Sequence, residues 1–166
     1  SLTKISNDLR WMNSGPVSGL SEITLKPLQP GSSIMPGKIN PVIPEAVLMA
    51  MSQVTGHHSA INIACISGNF QLNTMLPLIS KNIIESFNLL INSVYSLADT
   101  IDTFKVNKKN IQLNLEKNPI IATKLNETIG YDLASKIVKE AYKTNKSIID
   151  ITEEKTNLTR SQILKL

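Results

Sequence analysis

Cysteine, aromatic side chains and, over a long internal stretch, charge are what this 166-residue chain has little of. A single cysteine, Cys65, excludes an internal disulfide framework and fits a reducing compartment. Its place after the apolar run Ala60 to Ala64 predicts a small core residue. Between Asn40 and Ser80 the one formally charged side chain is Glu45, so helices there have little surface suited to water. Residues 1–104 carry 5 Lys+Arg against 6 Asp+Glu, and residues 105–166 carry 12 against 7, which puts the surplus of positive charge in the second part. The aromatics of that part are Tyr131 and Tyr142, a poor set for stacking bases, and its lysines alternate with acids. A solvated lysine-rich surface therefore explains the charge better than a nucleic-acid partner does. No basic segment followed by an apolar run opens the chain, which begins inside a helical pattern and not at a methionine. This reads as a fragment of a longer protein.

What is present is helical. From Pro41 to Ser67 apolar residues lie around most of a helix circumference (Val42, Val47, Met51, Val54 and Ile61 among them), the pattern of a helix buried on most sides. Glu45, Gln53, His57, His58 and Asn62 interrupt it, leaving no apolar run near the ~20 residues that a membrane span needs. A second long helix is expected from about Gln71 to Phe104, kinked at Pro77. Within it Ile83, Phe87, Leu90, Val94, Leu97 and Ile101 are spaced 4, 3, 4, 3, 4, a heptad seam suited to shallow helix crossing. Two such helices cannot cover each other in a chain this short, so an obligate oligomer is expected. Beyond a short connection at Phe104 to Asn107 the pattern changes to shorter helices, near Lys108–Asn118, Ile120–Thr128, Asp132–Asn145 and Arg160–Lys165. Gly130 should stop one of them, and Asp132 cap the next. The expected class is all-α, a long-helix bundle spanning 1–106 with a small helical domain at 107–166.

The chemistry concentrates in residues 31–41. Gly31 and Gly37 let backbone approach a ligand without a Cβ in the way, Pro36 restricts the turn between them, and successive N–H groups in such a turn can cradle an anion. Lys38 adds a full positive charge. Asn40 presents an amide immediately before Pro41, a residue suited to the first turn of a helix whose N–H groups would face the same anion. A loop of this kind can grip a dicarboxylate. By residue type alone, Ser32 and Ser33 also fit a plain turn, Lys38 a solvated surface, and Glu45 a first-turn carboxylate that serves the helix dipole. Met35 fits a packing anchor for the loop. His57 and His58 are adjacent, so on a helix they point about 100° apart and do not share a metal; structural or interface roles fit them better.

The string Gly31-Ser32-Ser33-Ile34-Met35-Pro36-Gly37-Lys38-Ile39-Asn40-Pro41 resembles the signature loop of the fumarase/aspartase superfamily, matching its eight defined positions. The flank from Ser1 through Asn7-Asp8-Leu9-Arg10 to Ser14-Gly15-Pro16 is similar to the segment before that loop in class II fumarases, and Ser67-Gly68-Asn69-Phe70-Gln71-Leu72-Asn73 and Ile129-Gly130-Tyr131-Asp132 agree with them. The resemblance covers nearly the whole chain, but only the C-terminal portion of such an enzyme. It implies a lyase that adds water reversibly to fumarate, without metal or cofactor, as a homotetramer whose central helices gather into one bundle and whose active sites are each shared among three chains. It also implies a cytoplasmic enzyme, or a mitochondrial one in a eukaryote, with no membrane or nucleic-acid partner.

Carried over position by position, Ser32 matches the catalytic base. Ser33, Lys38 and Asn40 match groups that hold the substrate, and Glu45 matches a carboxylate that orients a histidine from another subunit. Two departures stand out: His57-His58, where these enzymes usually have Asn-Asp, and Val17, often arginine after Ser-Gly-Pro. The rival readings are an aspartate ammonia-lyase, whose loop has alanine in place of Gly37, and a non-catalytic helical assembly module.

Overall fold

The apolar stretches become two long helices, and everything else in the first part of the chain serves to join or cap them. A computed structural model describes residues 1–29, 31, 35, 39–116 and 118–165. They fold into two compact units, Ser1–Val106 and Asn107–Leu166. The class is all-α. Among the described residues there are eight helices and one two-stranded ribbon, and no helix is long and apolar enough to cross a membrane.

In the first unit, helix α1 (Leu2–Met12) packs on α2 (Val42–Cys65), and α2 on α3 (Leu76–Thr103). At 1.5 Å per residue α2 and α3 run roughly 36 and 42 Å. Strands β1 (Ile23–Thr24) and β2 (Lys105–Val106) pair antiparallel, Ile23 opposite Val106, and tie the loop after α1 to the end of α3. The core gathers Leu9, Ile23, Leu25, Val47 and Leu97, flanked by Leu2, Met12, Ile43, Met51 and Phe104. It therefore sits where α1 and the ribbon meet the start of α2 and the end of α3.

Three expectations for this unit are corrected. Helix α3 begins at Leu76, and Pro77 lies in its first turn, where a missing N–H costs nothing and no kink follows. The turn before it is closed by reciprocal backbone bonds between Asn69 and Leu72 (2.9 and 3.0 Å), while Asn73 donates to the Ala64 carbonyl and accepts from the Met75 N–H. The heptad seam is split. Helix α3 buries Asn82, Ser93 and the seam residue Leu97, which joins Val47 of α2 in the core, whereas Phe87 is 60% exposed and Val94 49%. Ile83, Phe87, Val94 and Ile101 of the seam, with the neighbouring Ile91, form an outward apolar face. Cys65 is exposed, because the last turn of α2 projects that face away from α3, and Met35 is exposed as well.

His57 is buried between α2 and α3, its Nδ1 3.0 Å from the Ser86 Oγ and its Nε2 2.9 Å from the Gln53 amide nitrogen. The Glu85 carboxylate lies 3.6 Å from the same Nε2. His58 is exposed and touches Asn62. The pair is thus split between a polar helix contact and the surface.

The second unit contains α4 (Lys108–Glu116), α5 (Ile120–Ile129), α6 (Tyr131–Thr144), α7 (Ile148–Lys155) and α8 (Arg160–Ile163). Its core is Leu125, Ala134, Ile137, Ala141, Ile148, Ile149, Ile151 and Ile163. Gly130, at φ +79°, ends α5 and also stands as the N-cap of α6, so Asp132 lies in the first turn without a capping bond. Helix α7 was not expected from the pattern. Its start is marked by Ser147, whose hydroxyl accepts the Asp150 N–H at 3.1 Å. Arg160 reaches Asp150 at 2.8 Å and Glu116 at 2.7 Å; Ser147 first, and Arg160 second, hold the Asp150 carboxyl below its ordinary range. Leu125 has 0% exposure, so Leu125→Ala should lower the unfolding free energy of this unit by about 2–5 kcal/mol. Urea denaturation followed by far-ultraviolet circular dichroism would measure it, and a loss under 1 kcal/mol would mean that the cavity collapses.

Candidate functional site

The loop's helix-proximal end opens onto the junction of α1 and α2. Pro41 caps α2, with Glu45 in the first turn, and the Glu45 N–H donates to the Pro41 carbonyl at 3.1 Å. Gly31, at φ +133°, uses a conformation that other residues rarely adopt. Ser32, Ser33 and Lys38, the expected base and two of the substrate-holding groups, lie outside the described residues. Asn40 and Glu45 are described, and they lie together.

Both border a cleft of about 740 Å³ lined also by Asn7, Asp8, Arg10, Trp11, Asn13, Ser14 and Ile39. Asn40 and Pro41 separate it from a smaller cleft of about 180 Å³ toward the end of α3, where Lys26, Asp99 and Thr103 stand. The larger cleft is open and mixed in polarity, and it carries amides, one guanidinium (Arg10) and the two carboxylates of Asp8 and Glu45. Across it the Arg10 Nε lies 3.8 Å from a Glu45 carboxylate oxygen, and the Arg10 Nη1 donates to the Asn7 side-chain oxygen at 3.4 Å.

The walls are held by local bonds. The Ser14 hydroxyl donates to the Trp11 carbonyl at 2.6 Å and accepts from the Leu20 N–H at 3.0 Å, and Asn13 accepts the Leu25 N–H at 2.9 Å. These bonds fold the segment after α1 back beside its own C-terminus. The described lining offers hydrogen-bonding amides and hydroxyls, and its one cation, Arg10, stands with two carboxylates. Among the described residues no three His, Cys, Asp or Glu side chains converge as a metal would require.

Sequence reasoning placed Asn40 and Glu45 at the site but assigned no role to Asn7, Arg10 or Trp11. The available signal was the Asn7/Arg10 spacing of three on α1, which puts both side chains on one face.

A family model described as lyase matches residues 1–56, and one described as fumarase C C-terminus matches residues 121–166. The class II fumarate hydratase of Xylella fastidiosa is 54% identical over 166 residues, covering 99% of this chain and 35% of that protein. The class II enzyme of Mycobacterium tuberculosis is 48% identical over 149 residues, covering 89% and 31%. Among solved structures, a fumarate lyase:delta crystallin from Brucella melitensis bound to cobalt superimposes with a TM-score of 0.90 at 41% identity, and a recombinant class II fumarase from Schistosoma mansoni with 0.84 at 36%. Each superposition covers 99% of this chain, and 36% and 34% of the other. The chain thus spans about a third of the length of the relatives it matches.

Proposed function

Because the chain belongs to the fumarase/aspartase superfamily of lyases, corresponding to the C-terminal portion of a class II fumarate hydratase, we propose that the complete protein hydrates fumarate reversibly to malate in the cytoplasm. The observation that carries this reading is the meeting of Asn40 and Glu45 in one cleft at the end of the signature loop. The difficult step, run from malate, is removal of a proton from the carbon beside a carboxylate, because negative charge accumulates on that carboxylate as an aci-form dianion. Cations and N–H donors must stand where this charge develops. Lys38 and the loop's N–H groups are suited to that task. Asn40, with an amide that both donates and accepts, would orient a carboxylate.

Ser32 takes the proton. A serine hydroxyl is a weak base unless its oxyanion is stabilised by adjacent N–H groups and a cation, which a glycine-rich loop bearing Lys38 supplies. The hydroxyl leaves from the neighbouring carbon with a proton delivered by an acid from another subunit, a histidine oriented by Glu45, and departs as water. Ser33 holds substrate beside Ser32. A homotetramer is part of the proposal. The outward apolar face of α3 supports it, since Phe87, Val94 and Ile101 of the seam and the neighbouring Ile91 are too much apolar surface for a monomer to leave in water.

Fumarate absorbs in the ultraviolet and malate does not, so turnover by the complete enzyme can be followed directly. Fumarate should appear from malate and none from aspartate. Fumarate released from aspartate together with ammonia, and none from malate, would transfer the chain to the ammonia-lyases.

A further inference from the structure

Composition makes Arg10 and Glu45 rare where they stand. Arg10 is the only arginine of the first 159 residues, and Glu45 is the only formally charged side chain between Asn40 and Ser80. Each has a local reason to be there, since Arg10 lies in the last turn of α1 and Glu45 in the first turn of α2, where each suits its helix dipole. The dipoles do not require that they face one another. Yet they meet in the larger cleft, Nε to Oε1 at 3.8 Å, with the guanidinium braced by Asn7 through Nη1. The side chains are 42% and 38% exposed, and so exposed a pair adds little to stability. Its contribution must be geometric.

We infer that Arg10 is the positioning residue for Glu45, holding one carboxylate oxygen so that the other faces the cleft and can accept a hydrogen bond there. This deepens the hydratase reading and rests on it. Arg10 touches no substrate in this scheme. Asn7 braces the guanidinium, whose charge draws Oε1 toward it at ion-pair distance, 3.8 Å, and Oε2 is left to the imidazole that would protonate the departing hydroxyl. A carboxylate without that restraint would rotate about its terminal torsion, which is broad for glutamate, and the acid would lose its alignment.

The test is a double-mutant cycle in the complete enzyme: wild type, Arg10→Gln, Glu45→Gln and the double variant. Arg10→Gln should lower kcat by about tenfold to a hundredfold, the scale of a misaligned catalytic group, and leave KM within about twofold. The double variant should be no slower than Glu45→Gln, because Arg10 acts only through that carboxylate. Multiplying losses, or a raised KM with kcat retained, would overturn the inference. Succinate, an unreactive dicarboxylate, supplies a second reading by calorimetry. Its affinity should be the same for wild type and Arg10→Gln, and tenfold weaker binding would assign Arg10 to the substrate instead. If Arg10→Gln fails to assemble, Arg10→Lys takes its place, with a smaller loss in the same pattern. The cycle is read on whichever elimination the wild type performs. A wild type active only on aspartate overturns the substrate reading and leaves the pairing to the cycle; a wild type inert to both malate and aspartate overturns both.

Discussion

Ser32→Ala in the complete enzyme is expected to reduce malate dehydration by at least about a thousandfold, the scale associated with losing a group that takes part in proton transfer inside a preorganised site. The substituted side chain lies in the loop and not on α2 or α3, so the oligomer should sediment unchanged. Isotope exchange sharpens the result. If Ser32 takes the proton, exchange of the malate carbon-bound proton with solvent should disappear along with net turnover. A variant that keeps near-normal turnover would return Ser32 to the role of a turn former. Lys38→Met provides the companion measurement, and both binding and rate should fall, since this lysine would meet carboxylate charge in the ground state and the larger charge at the transition state.

Phe87→Lys is expected to dissociate the assembly completely. Phe87 lies on the outward apolar face of α3 with Ile91, Val94 and Ile101, and a lysine buried there in every subunit of a symmetric bundle would carry a desolvation cost of several kcal/mol per ion. Activity should vanish with the oligomer, because the proposed acid comes from another chain. The control is Tyr142→Lys on α6, exposed in the second unit, which should leave the sedimentation coefficient unchanged. An active Phe87→Lys tetramer would move the interface to another face. The present chain, produced alone, should be inactive and should associate or aggregate through the same face. A soluble 18.3 kDa monomer would show that these helices tolerate water, and the bundle argument would fail.

Much of the helical architecture is legible residue by residue, and the failures are of one kind. The stretch after Asn40, whose one formally charged side chain is Glu45, announced α2, and Gly130 announced the break between α5 and α6, because burial periodicity and a positive φ are local properties. Pro77 was misread as a kink. Its effect depends on where the first turn begins, which the Asn69–Leu72 bridge and the Asn73 bonds decide. Helix α7 was overlooked because its eight residues are too few to show periodicity, although Ser147 carried a capping signal.

The seam is the instructive case. The 4, 3, 4, 3, 4 spacing was correctly read as an apolar stripe, but a stripe does not say which partner it meets. Within this chain α3 buries Asn82, Ser93 and the stripe's Leu97 and brings Ser86 onto His57, and it leaves Ile83, Phe87, Val94 and Ile101 of the stripe outward.

The sequence by itself determined the helical class, the two long helices and most of the short ones, since each follows from residue type and spacing along one strand of chain. Only the tertiary structure decided that Cys65 is exposed, that His57 joins Ser86 across 29 residues, and that Arg10 meets Glu45. Those are distances between helices. They depend on crossing angle and rotation, which are set by how all the side chains at a contact fill space together, and no local pattern records that.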